Sequence, residues 1–226
     1  FKNHGLFKLK NRPQWYTVTN RSKTYVNKII DKISGEHFKN YNINKIVRND
    51  FGAKVYYGGE NEFFNYDKVV IAIHANEALD IIENPTSEEK EILKNFKYRQ
   101  NMALIHFDKS IMPKNRKAWC SWNSSMSKDN IKKISVTYWL NQLQNLQIDR
   151  DIFLTINPFR KIPEDKIFKK VTFTHPYYDN AALSNQNNLN KIQNKKNTLF
   201  CGSYFGYGFH EDGIKSSIDM LKTFND

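Results

Sequence analysis

The sequence lacks several patterns that would assign it at once to a class of function. Its 226 residues contain no Gly-x-Gly-x-x-Gly turn of the kind that opens a dinucleotide-binding βαβ unit, and the nearest spacing is Gly202-x-x-x-Gly206-x-Gly208. No run of roughly 18 apolar residues is present, so no membrane-spanning helix is predicted. The chain starts at Phe1, without an initiator Met or the apolar segment of a signal peptide, and we expect it to be the cut end of something longer.

Cysteine and metal-ligand patterns are also sparse. The two cysteines, Cys120 and Cys201, are far apart and each has apolar or aromatic neighbours. This arrangement predicts buried free thiols and a reducing cytoplasm rather than a disulfide framework. The six histidines include no His-x-x-x-His pair, so no metal site is predicted.

The chain is basic, with a formal net charge of +12 and a hydrophobic content of 39%, which is enough for a real core. Such a charge raises nucleic acid or an anionic membrane surface as partners. The lysines are dispersed, however, and the densest groups are pairs such as Lys169-Lys170. We therefore expect no nucleic-acid partner, and a peripheral membrane contact stays open.

The most informative stretch lies near the C-terminus. Residues 199–201 predict a short buried strand, a glycine-bearing loop follows, and Ile214, Ile218 and Leu221 recur at helical spacing beyond it. The loop therefore ends at a helix N-terminus, where free N–H groups and the helix dipole suit a phosphate or the anionic edge of a flavin ring. A plain strand-to-helix turn without a ligand is the alternative that glycine spacing alone leaves open.

The amino-acid sequence of this stretch resembles that of a known family. Gly-Tyr-Gly-Phe-His-Glu-Asp-Gly-Ile at 206–214, followed by Ser216 and Ser217, is similar to the C-terminal FAD-binding segment of a bacterial family of predicted NAD/FAD-binding oxidoreductases. That family is related to the flavin-dependent amine oxidases. Further stretches match it in the same order, at residues 3–6, 12–15, 25–26, 69–75, 119–123, 136–144 and 175–176.

The resemblance implies a mixed α+β fold of the α/β class, built as a discontinuous FAD-binding domain with an inserted antiparallel-sheet substrate domain. The expected divisions are 1–35 (flavin-facing, substrate-side segment), 36–82 (FAD-binding domain), 83–175 (substrate domain) and 176–226 (C-terminal part of the FAD-binding domain). The N-terminal Rossmann part is absent, so one expected partner is the missing N-terminal half of the same protein.

Within this resemblance FAD is the expected cofactor, and the residues expected to contact it follow from the matching stretches. They are Gly202, Ser203, Gly208, Glu211, Asp212, Gly213 and Ile214 in the C-terminal loop, Ala72, His74 and Ala75 at a strand end, and Ser22. The family has two glycines before this serine, whereas the present chain has Asn20 and Arg21. Side chains at these two positions put close contact with a flavin there in doubt.

Local patterns predict the elements that carry these residues. Ser22 is the expected cap of a helix over 23–33, and Asn76 the expected cap of a short helix ending near Ile82. Thr86 and Glu89 predict a capping box for a helix to about Phe96. A meander of short strands over 36–64, a buried strand at 69–73, an exposed loop at 121–130 and a helical 178–192 complete the prediction, with further strands at 101–107, 133–139, 152–156 and 171–174.

Aromatic and amide side chains predict the substrate pocket, namely Trp119, Trp122, Asn123, Tyr138 and Asn141. Strand alternation makes Tyr138 and Trp139 face opposite ways, so at most one of them lines a given cavity. His106 is expected to be a satisfied core histidine. No residue is assigned as catalytic acid or base.

We therefore predict an FAD-dependent oxidoreductase resembling amine oxidases, which transfers a hydride from an amine or an apolar, lipid-like substrate to the flavin. The alternative is a non-catalytic binding or partner domain derived from such a flavoprotein. Asn20, Arg21 and the absent glycine-rich start favour that alternative. Substrate and electron acceptor stay open at this point.

Overall fold

The computed structural model describes residues 10, 14, 16–127 and 133–224 and shows a mixed α/β fold. Its α-helices are α1 (Ser22–Ile30), α2 (Ala75–Ile81), α3 (Ser87–Leu93), α4 (Leu140–Leu143), α5 (Asn180–Asn185) and α6 (His210–Lys222). Within these described ranges, no helix has both the length and the apolarity needed to cross a bilayer. The matching residues at 3–6, 12, 13 and 15 lie outside the described part of the chain.

The strands form three separate sheets. They are β1 (Lys45–Asn49), β2 (Gly52–Tyr56), β3 (Phe63–Tyr66), β4 (Val69–Ile71), β5 (Lys97–His106), β6 (Trp122–Met126), β7 (Ile134–Trp139), β8 (Phe153–Ile156), β9 (Ile167–Tyr177) and β10 (Thr198–Phe200). β1, β2 and β3 make an antiparallel meander, and β6, β7, β8, β5 and β9 make an antiparallel sheet in that spatial order. The predicted meander and the four later strands are confirmed, with shifts of a few residues at their ends.

The remaining two strands, β4 and β10, pair in parallel, with Val69 opposite Thr198. β10 is fully buried because both of its faces are covered. Phe200 belongs to the large core with α2 and α3, while Leu199 and Cys201 pack against Met220 of α6. Enclosure between two layers fixes the direction in which the chain leaves β10, and therefore places the loop that follows.

The outer edge of β10 is closed by a side chain rather than by a third strand. The amide of Gln193 donates to the carbonyl of Phe200 at 2.8 Å and accepts from the N–H of the same residue at 2.9 Å. Next along this edge, the N–H of Thr198 donates to the carbonyl of Lys195 at 3.0 Å. The polar groups of this edge are therefore paired within the chain, as buried backbone groups require.

A buried ion pair joins β1 to α3. Both guanidinium nitrogens of Arg48 contact the carboxylate of Glu89, at 2.7 and 2.8 Å, and both side chains are almost fully buried. Burial alone would raise the pKa of Glu89, but hydrogen bonds and charge from Arg48, with the N–H of Thr86, outweigh it and the pKa is lowered. Thr86 and Glu89 also complete the predicted capping box, which is thereby confirmed, although α3 ends at Leu93 rather than near Phe96.

The first helix differs from its prediction. Ser22 is the first helical residue rather than the cap, Arg21 stands at the cap position without a side-chain hydrogen bond, and the helix ends at Ile30 instead of residue 33. Arg21 takes a φ of 71° there, so the main chain turns sharply into α1 before Ser22 is reached. The cap prediction at Ser22 is therefore wrong by one position.

The second helix begins earlier than predicted, after His74, so Asn76 lies in its first turn rather than at the cap. The cause is a contact from a distant part of the chain. The hydroxyl of Tyr98 accepts the N–H of Ala75 at 3.0 Å and takes the place of a local capping side chain.

Two expectations for the region around residue 120 are wrong. Residues 122–126 form β6 instead of an exposed loop, because Asn123 and Ser124 pair with Thr137 and Val136 of β7; residues 128–130 of that predicted loop lie outside the described residues. Cys120 is exposed rather than buried. The side-chain amide of Asn123 bonds both the N–H and the carbonyl of Cys120, at 3.1 and 2.6 Å, in a tight turn.

A polar chain of side chains crosses the buried face of the five-stranded sheet. The Nδ1 atom of His106 accepts the N–H of Asp108 at 3.1 Å, so the Nε2 atom carries the proton and donates to the Thr155 hydroxyl at 2.7 Å. Thr155 in turn bonds the hydroxyl of Thr137 at 2.9 Å. His106 is thus a satisfied core histidine, as predicted, and burial lowers its pKa from 6.5 to about 4.

Replacing Arg48 by Ala should destabilise the fold by about 3 to 5 kcal/mol, because it leaves the Glu89 carboxylate buried and unpaired. Urea unfolding at pH 7 measures this change in the free energy of unfolding. Lys45→Ala is the matched control, since Lys45 lies on the same strand as Arg48 and forms a half-exposed ion pair with Glu83. Its loss should cost less than about 1 kcal/mol. Equal losses in the two variants would contradict the argument.

Acid should weaken the fold through His106. In the unfolded chain the imidazole of His106 takes up a proton below about pH 6.5, whereas in the folded state its pKa is lowered to about 4. The free energy of unfolding should therefore fall by roughly 3 kcal/mol as the pH drops through this interval. His106→Gln removes the titrating ring while offering an amide donor toward Thr155, and it should flatten this part of the curve. The exposed His37→Gln variant should keep the wild-type slope. A His106→Gln curve parallel to the wild type would refute this.

Candidate functional site

A groove of about 540 Å³ lies between α1 and the N-terminus of α6. Tyr25 and Ile29 form its α1 side. The opposite side consists of Ser203, Gly208, Phe209, His210, Glu211, Gly213 and Ile214. The groove therefore gathers five of the eleven residues predicted to contact a cofactor, namely Ser203, Gly208, Glu211, Gly213 and Ile214, and it adds two residues of α1.

The loop between β10 and α6 is held by main-chain hydrogen bonds. The N–H of Cys201 donates to the carbonyl of Ile71 at 3.2 Å, which extends the parallel pair by one residue. The N–H of Gly202 then donates to the Ser216 hydroxyl at 2.9 Å, which ties the loop to the buried face of α6. Ser203 follows, and its carbonyl accepts the N–H groups of both Gly206 and Gly208.

Two glycines of this loop are required by their surroundings. Gly208 has a φ of 88°, which favours glycine. A Cβ at Gly206 would collide with the carboxylate of Asp212. That carboxylate accepts the N–H groups of Tyr207 and Phe209 at 3.0 and 2.9 Å. Asp212 thus closes the loop from behind the groove.

Gly213 differs from these two glycines, because it has no positive φ and no close neighbour. A Cβ built there would have the backbone nitrogen of Ser203, at 3.9 Å, as its near contact. The N–H groups in the first turn of a helix have no partner within the helix and carry the positive end of its dipole. The absence of a side chain at Gly213 leaves that end of α6 open toward the groove.

The end of β4 lies beside the same loop. A Cβ on Gly202 would stand 3.9 Å from the carbonyl of Ile73, so the two strand ends adjoin. Ala72 is exposed at this edge, and His74 is half-buried with its ring stacked on Tyr98 at 4.3 Å. Ala75 is completely buried and faces the core, so only its main chain is near this surface.

Tyrosines form a layer beneath the loop. Tyr178 donates to the carbonyl of Ser203 at 3.4 Å, and burial raises its pKa. Tyr204 is 2% exposed and packs on Phe96, and its hydroxyl finds no hydrogen-bond partner within the described residues. Burial likewise raises the pKa of Tyr204 well above its usual value. This layer supports the loop from below and stays un-ionised at neutral pH.

The start of α1 keeps a main-chain conformation that glycine adopts easily. Asn20 and Arg21 have φ angles of 60° and 71°. Ser22 lies just after them at the first position of α1, exposed and outside the lining of the groove. Asn20 and Arg21 thus adopt the main-chain turn of a Gly-Gly pair, although both carry side chains.

The predicted substrate residues lie on the five-stranded sheet and divide between its two faces. Trp122 and Tyr138 pair across β6 and β7 with ring centroids 5.7 Å apart. Trp119 instead contacts Trp139 on the opposite face, with centroids 5.3 Å apart. The predicted opposition of Tyr138 and Trp139 is therefore confirmed, and Trp119 and Trp122 cannot share one cavity.

The two predicted amides have structural partners. Asn123 holds the turn at Cys120, as described above. Asn141 donates to the carbonyl of Arg150 at 2.9 Å and accepts the N–H of Ile152 at 2.8 Å, which closes the loop before β8. Their polar atoms are therefore engaged by main chain rather than directed toward the groove.

Several residues of the site were missed by sequence reasoning. Tyr25 contacts His210 across the groove, with its hydroxyl 3.5 Å from the Nδ1 atom. Tyr98 and Tyr178 come from distant parts of the chain, and no local pattern marks them. Glu77 in the first turn of α2 was also missed; its carboxylate lies 3.3 Å from the Nδ1 atom of the predicted His74, and the three-residue spacing of the two residues could have indicated the pair.

Comparison with known proteins supports the fold. No protein-family profile and no curated protein sequence matches the chain. Among solved structures it is similar to the "CLA-producing fatty acid isomerase from P. acnes", with a TM-score of 0.60, 14% identity, and 90% of this chain and 52% of that one covered. It is also similar to a redesigned putrescine oxidase, with a TM-score of 0.58, 9% identity, and 90% of this chain and 53% of that one covered.

A third similar structure is the cyclohexylamine oxidase from Brevibacterium oxydans, with a TM-score of 0.51, 8% identity, and 82% and 49% of the two chains covered. These neighbours are proteins of the flavin amine oxidase family. The present chain spans about half of their length. It therefore has a mixed α/β fold similar to parts of the flavin amine oxidase fold.

Proposed function

We propose that the groove between α1 and α6 receives the flavin ring of FAD, and that this chain is part of an FAD-dependent oxidoreductase. The observation that carries the proposal is the N-terminus of α6, which begins at His210 and has no side chain at Gly213, placed at the carboxyl edge of a parallel strand pair. Ligands of open α/β folds bind beyond the carboxyl ends of parallel strands.

The residues present fit the ring half of the cofactor. Gly208 and Gly213 allow a flat group to approach the main chain, and the first turn of α6 offers N–H donors and positive potential to its polar edge. Ser203 offers a hydroxyl on the neighbouring wall. The ADP half has no corresponding glycine-rich turn in this sequence.

The bound flavin would supply the oxidising group that takes a hydride from the substrate. The protein side of the reaction is orientation, exclusion of water and stabilisation of negative charge. The N-terminus of α6 supplies the last of these through donors fixed in place before reaction. Tyr25 and Ile29 form the opposite wall.

The substrate is expected to be an amine or an apolar, lipid-like molecule. Trp122 and Tyr138 are the favoured contacts, because they lie together on one face of the five-stranded sheet and Trp122 is 40% exposed. Fatty acid and amine chemistry both occur in the names of the similar structures. Both kinds of substrate are therefore candidates for this chain.

The alternative is a partner domain that holds no flavin itself, and one observation favours it. Arg21 combines a φ of 71° with a ψ of −175°, a region that glycine occupies almost alone. A bulky side chain in that conformation adjoins the start of α1. Close contact between the flavin ring and the main chain requires a position without a side chain, and the side chain of Arg21 would obstruct it.

Flavin binding can be measured on the chain as it exists. Titration with riboflavin, which has no ADP half, should quench the ring's fluorescence in the wild type. Gly213→Val should weaken that binding roughly tenfold or more, because the side chain enters the open space at the helix start. The control is Gly35→Val, at an exposed position away from the groove. Equal affinity in all three proteins would remove the groove as the flavin site.

Arg21→Gly should stabilise the fold by about 1 kcal/mol, since relief of strain exceeds the added chain entropy of glycine. Thermal unfolding measures the gain. Lys23→Gly, at the second residue of the same helix, should instead cost up to about 1 kcal/mol. Destabilisation by both variants would mean that Arg21 makes contacts that outweigh its strained main chain.

A further inference from the structure

A second cavity, with a volume of about 450 Å³, lies beside helix α6. Among the residues that the structure describes, none lines both this cavity and the groove. The apolar stripe of Ile214, Ile218 and Leu221 is exposed on the other side of the helix, where Ile214 lines the groove. We call the second cavity the amide cavity. It is separate from the proposed flavin site.

One wall of the amide cavity is the 3₁₀ helix Gln186–Ile192. Side chains three residues apart lie one above the other in such a helix. Asn187 and Asn190 form the row that lines the cavity, and Gln193 continues this row just beyond the helix end. Leu189 belongs to another row and is fully buried. The sequence spacing therefore places three amide side chains in a line along the cavity.

The opposite wall is one face of α6. Asp212, Lys215 and Asp219 recur there at spacings of three and four, so their side chains follow one another along the helix. Ser216 and Met220 line the same wall and are 5% and 7% exposed, so they form its deep part. A row of amides thus faces a row of charged groups across the cavity.

Several polar groups of these walls have spare hydrogen-bonding capacity. An amide carries two donor hydrogens and two acceptor lone pairs. Gln193 is 8% exposed and uses one of each on the main chain of Phe200. The side chains of Asn187, Asn190 and Lys215 make no hydrogen bond to the described part of the chain. The cavity therefore offers donors and acceptors side by side, one of them on a buried amide.

The charges of the lining exclude several classes of ligand. Two carboxylates, Asp212 and Asp219, stand against the single ammonium of Lys215, so an anion such as phosphate is repelled. A cation would lie beside Lys215 and would leave the amide donors unused. An apolar molecule would cover the amides without pairing them, which costs free energy. The remaining class is an uncharged molecule that donates and accepts at several points.

We propose that the amide cavity binds a small polyhydroxylated molecule, a sugar or another polyol. Each hydroxyl group both donates and accepts, and so matches the spare groups of the amide row. Phe205 and Tyr207 line the cavity at the loop after β10 and offer apolar surface to the C–H groups of such a molecule. The volume suits a small-molecule ligand. This inference goes beyond the proposed function and does not depend on it.

Binding can be measured by NMR on the full chain labelled with ¹⁵N. D-glucose, D-mannose, sorbitol and trehalose are titrated separately. At least one should give saturable shifts of the amide signals of Asn190, Tyr207 and Lys215. Inorganic phosphate and cyclohexanol, an anion and a molecule with one hydroxyl, should give none. Absence of saturation with all four polyols overturns the proposal, and so does phosphate that saturates the same signals.

Asn187→Ala and Asn190→Ala should each weaken the affinity for the polyol that binds by roughly threefold to tenfold, because each removes an amide that pairs with hydroxyls. Asn188→Ala is the matched control. Asn188 lies in a different row of the same 3₁₀ helix, contacts the Asn185 side chain at 3.2 Å and does not line the cavity. It should bind as the wild type does.

Asn187 and Asn190 are exposed, so thermal unfolding of their variants should stay close to the wild type. Affinity that neither variant lowers, or that Asn188→Ala lowers equally, overturns the proposal.

Gly213→Val separates this site from the flavin groove, because Gly213 lines the groove alone. That variant should bind the polyol with wild-type affinity whether or not it binds riboflavin. A wild-type chain that binds a polyol and no riboflavin upholds the amide cavity and rejects the flavin groove. A chain that binds riboflavin and none of the four polyols does the reverse.

Discussion

The parallel pairing of β4 with β10 is the contact on which the candidate site depends. It joins chain segments far apart in sequence, and it places the strand ends at Ile73 and Gly202 side by side. Parallel strands cannot be linked by a tight turn, so a long connection must lie between them. In this protein the connection includes the whole five-stranded sheet. The position of the groove is therefore set by a pairing of three residues from each strand.

The loop after β10 depends in turn on side chains of α6. Ser216 receives the N–H of Gly202, and Asp212 receives two further N–H groups from the loop. The helix thus organises the loop that precedes it, and the loop leaves the helix N-terminus open at Gly213. This division of roles explains the glycines. Gly206 is required by its packing and Gly208 by its conformation, whereas a Cβ at Gly213 would make only an ordinary contact with the backbone of Ser203.

Much of the fold could be predicted from local signals. The capping box at Thr86 was recognisable because it depends on residues close in sequence. The strand predicted at 69–73 exists as β4, but it ends at Ile71, and Val70 and Ile73 are exposed rather than buried. β6 was missed, since its Asn and Ser side chains carry no apolar alternation and its strand character comes from pairing with β7. The groove was predicted on its α6 side alone. Tyr25 reaches the groove, and Tyr178 the loop beneath it, through tertiary packing, which no local pattern encodes.

The exposed apolar stripe on α6 could be seen in the sequence as helical spacing, but its exposure could not. Spacing shows that residues share a face of a helix, and it does not show which face meets the core. Here Met220 and Ser216 point inward, and the more regular set points outward. The strongest periodicity in the helix therefore marks its outer surface.

Gln193 has a consequence for how the parallel sheet can grow. Its amide occupies both main-chain groups of Phe200 on the outer edge of β10. An edge with such groups unpaired is a template for indiscriminate strand addition, including aggregation. A strand arriving at this edge would exchange two side-chain hydrogen bonds for two main-chain ones, so their number is conserved. By occupying both main-chain groups of Phe200, Gln193 therefore protects this edge from the addition of a further strand.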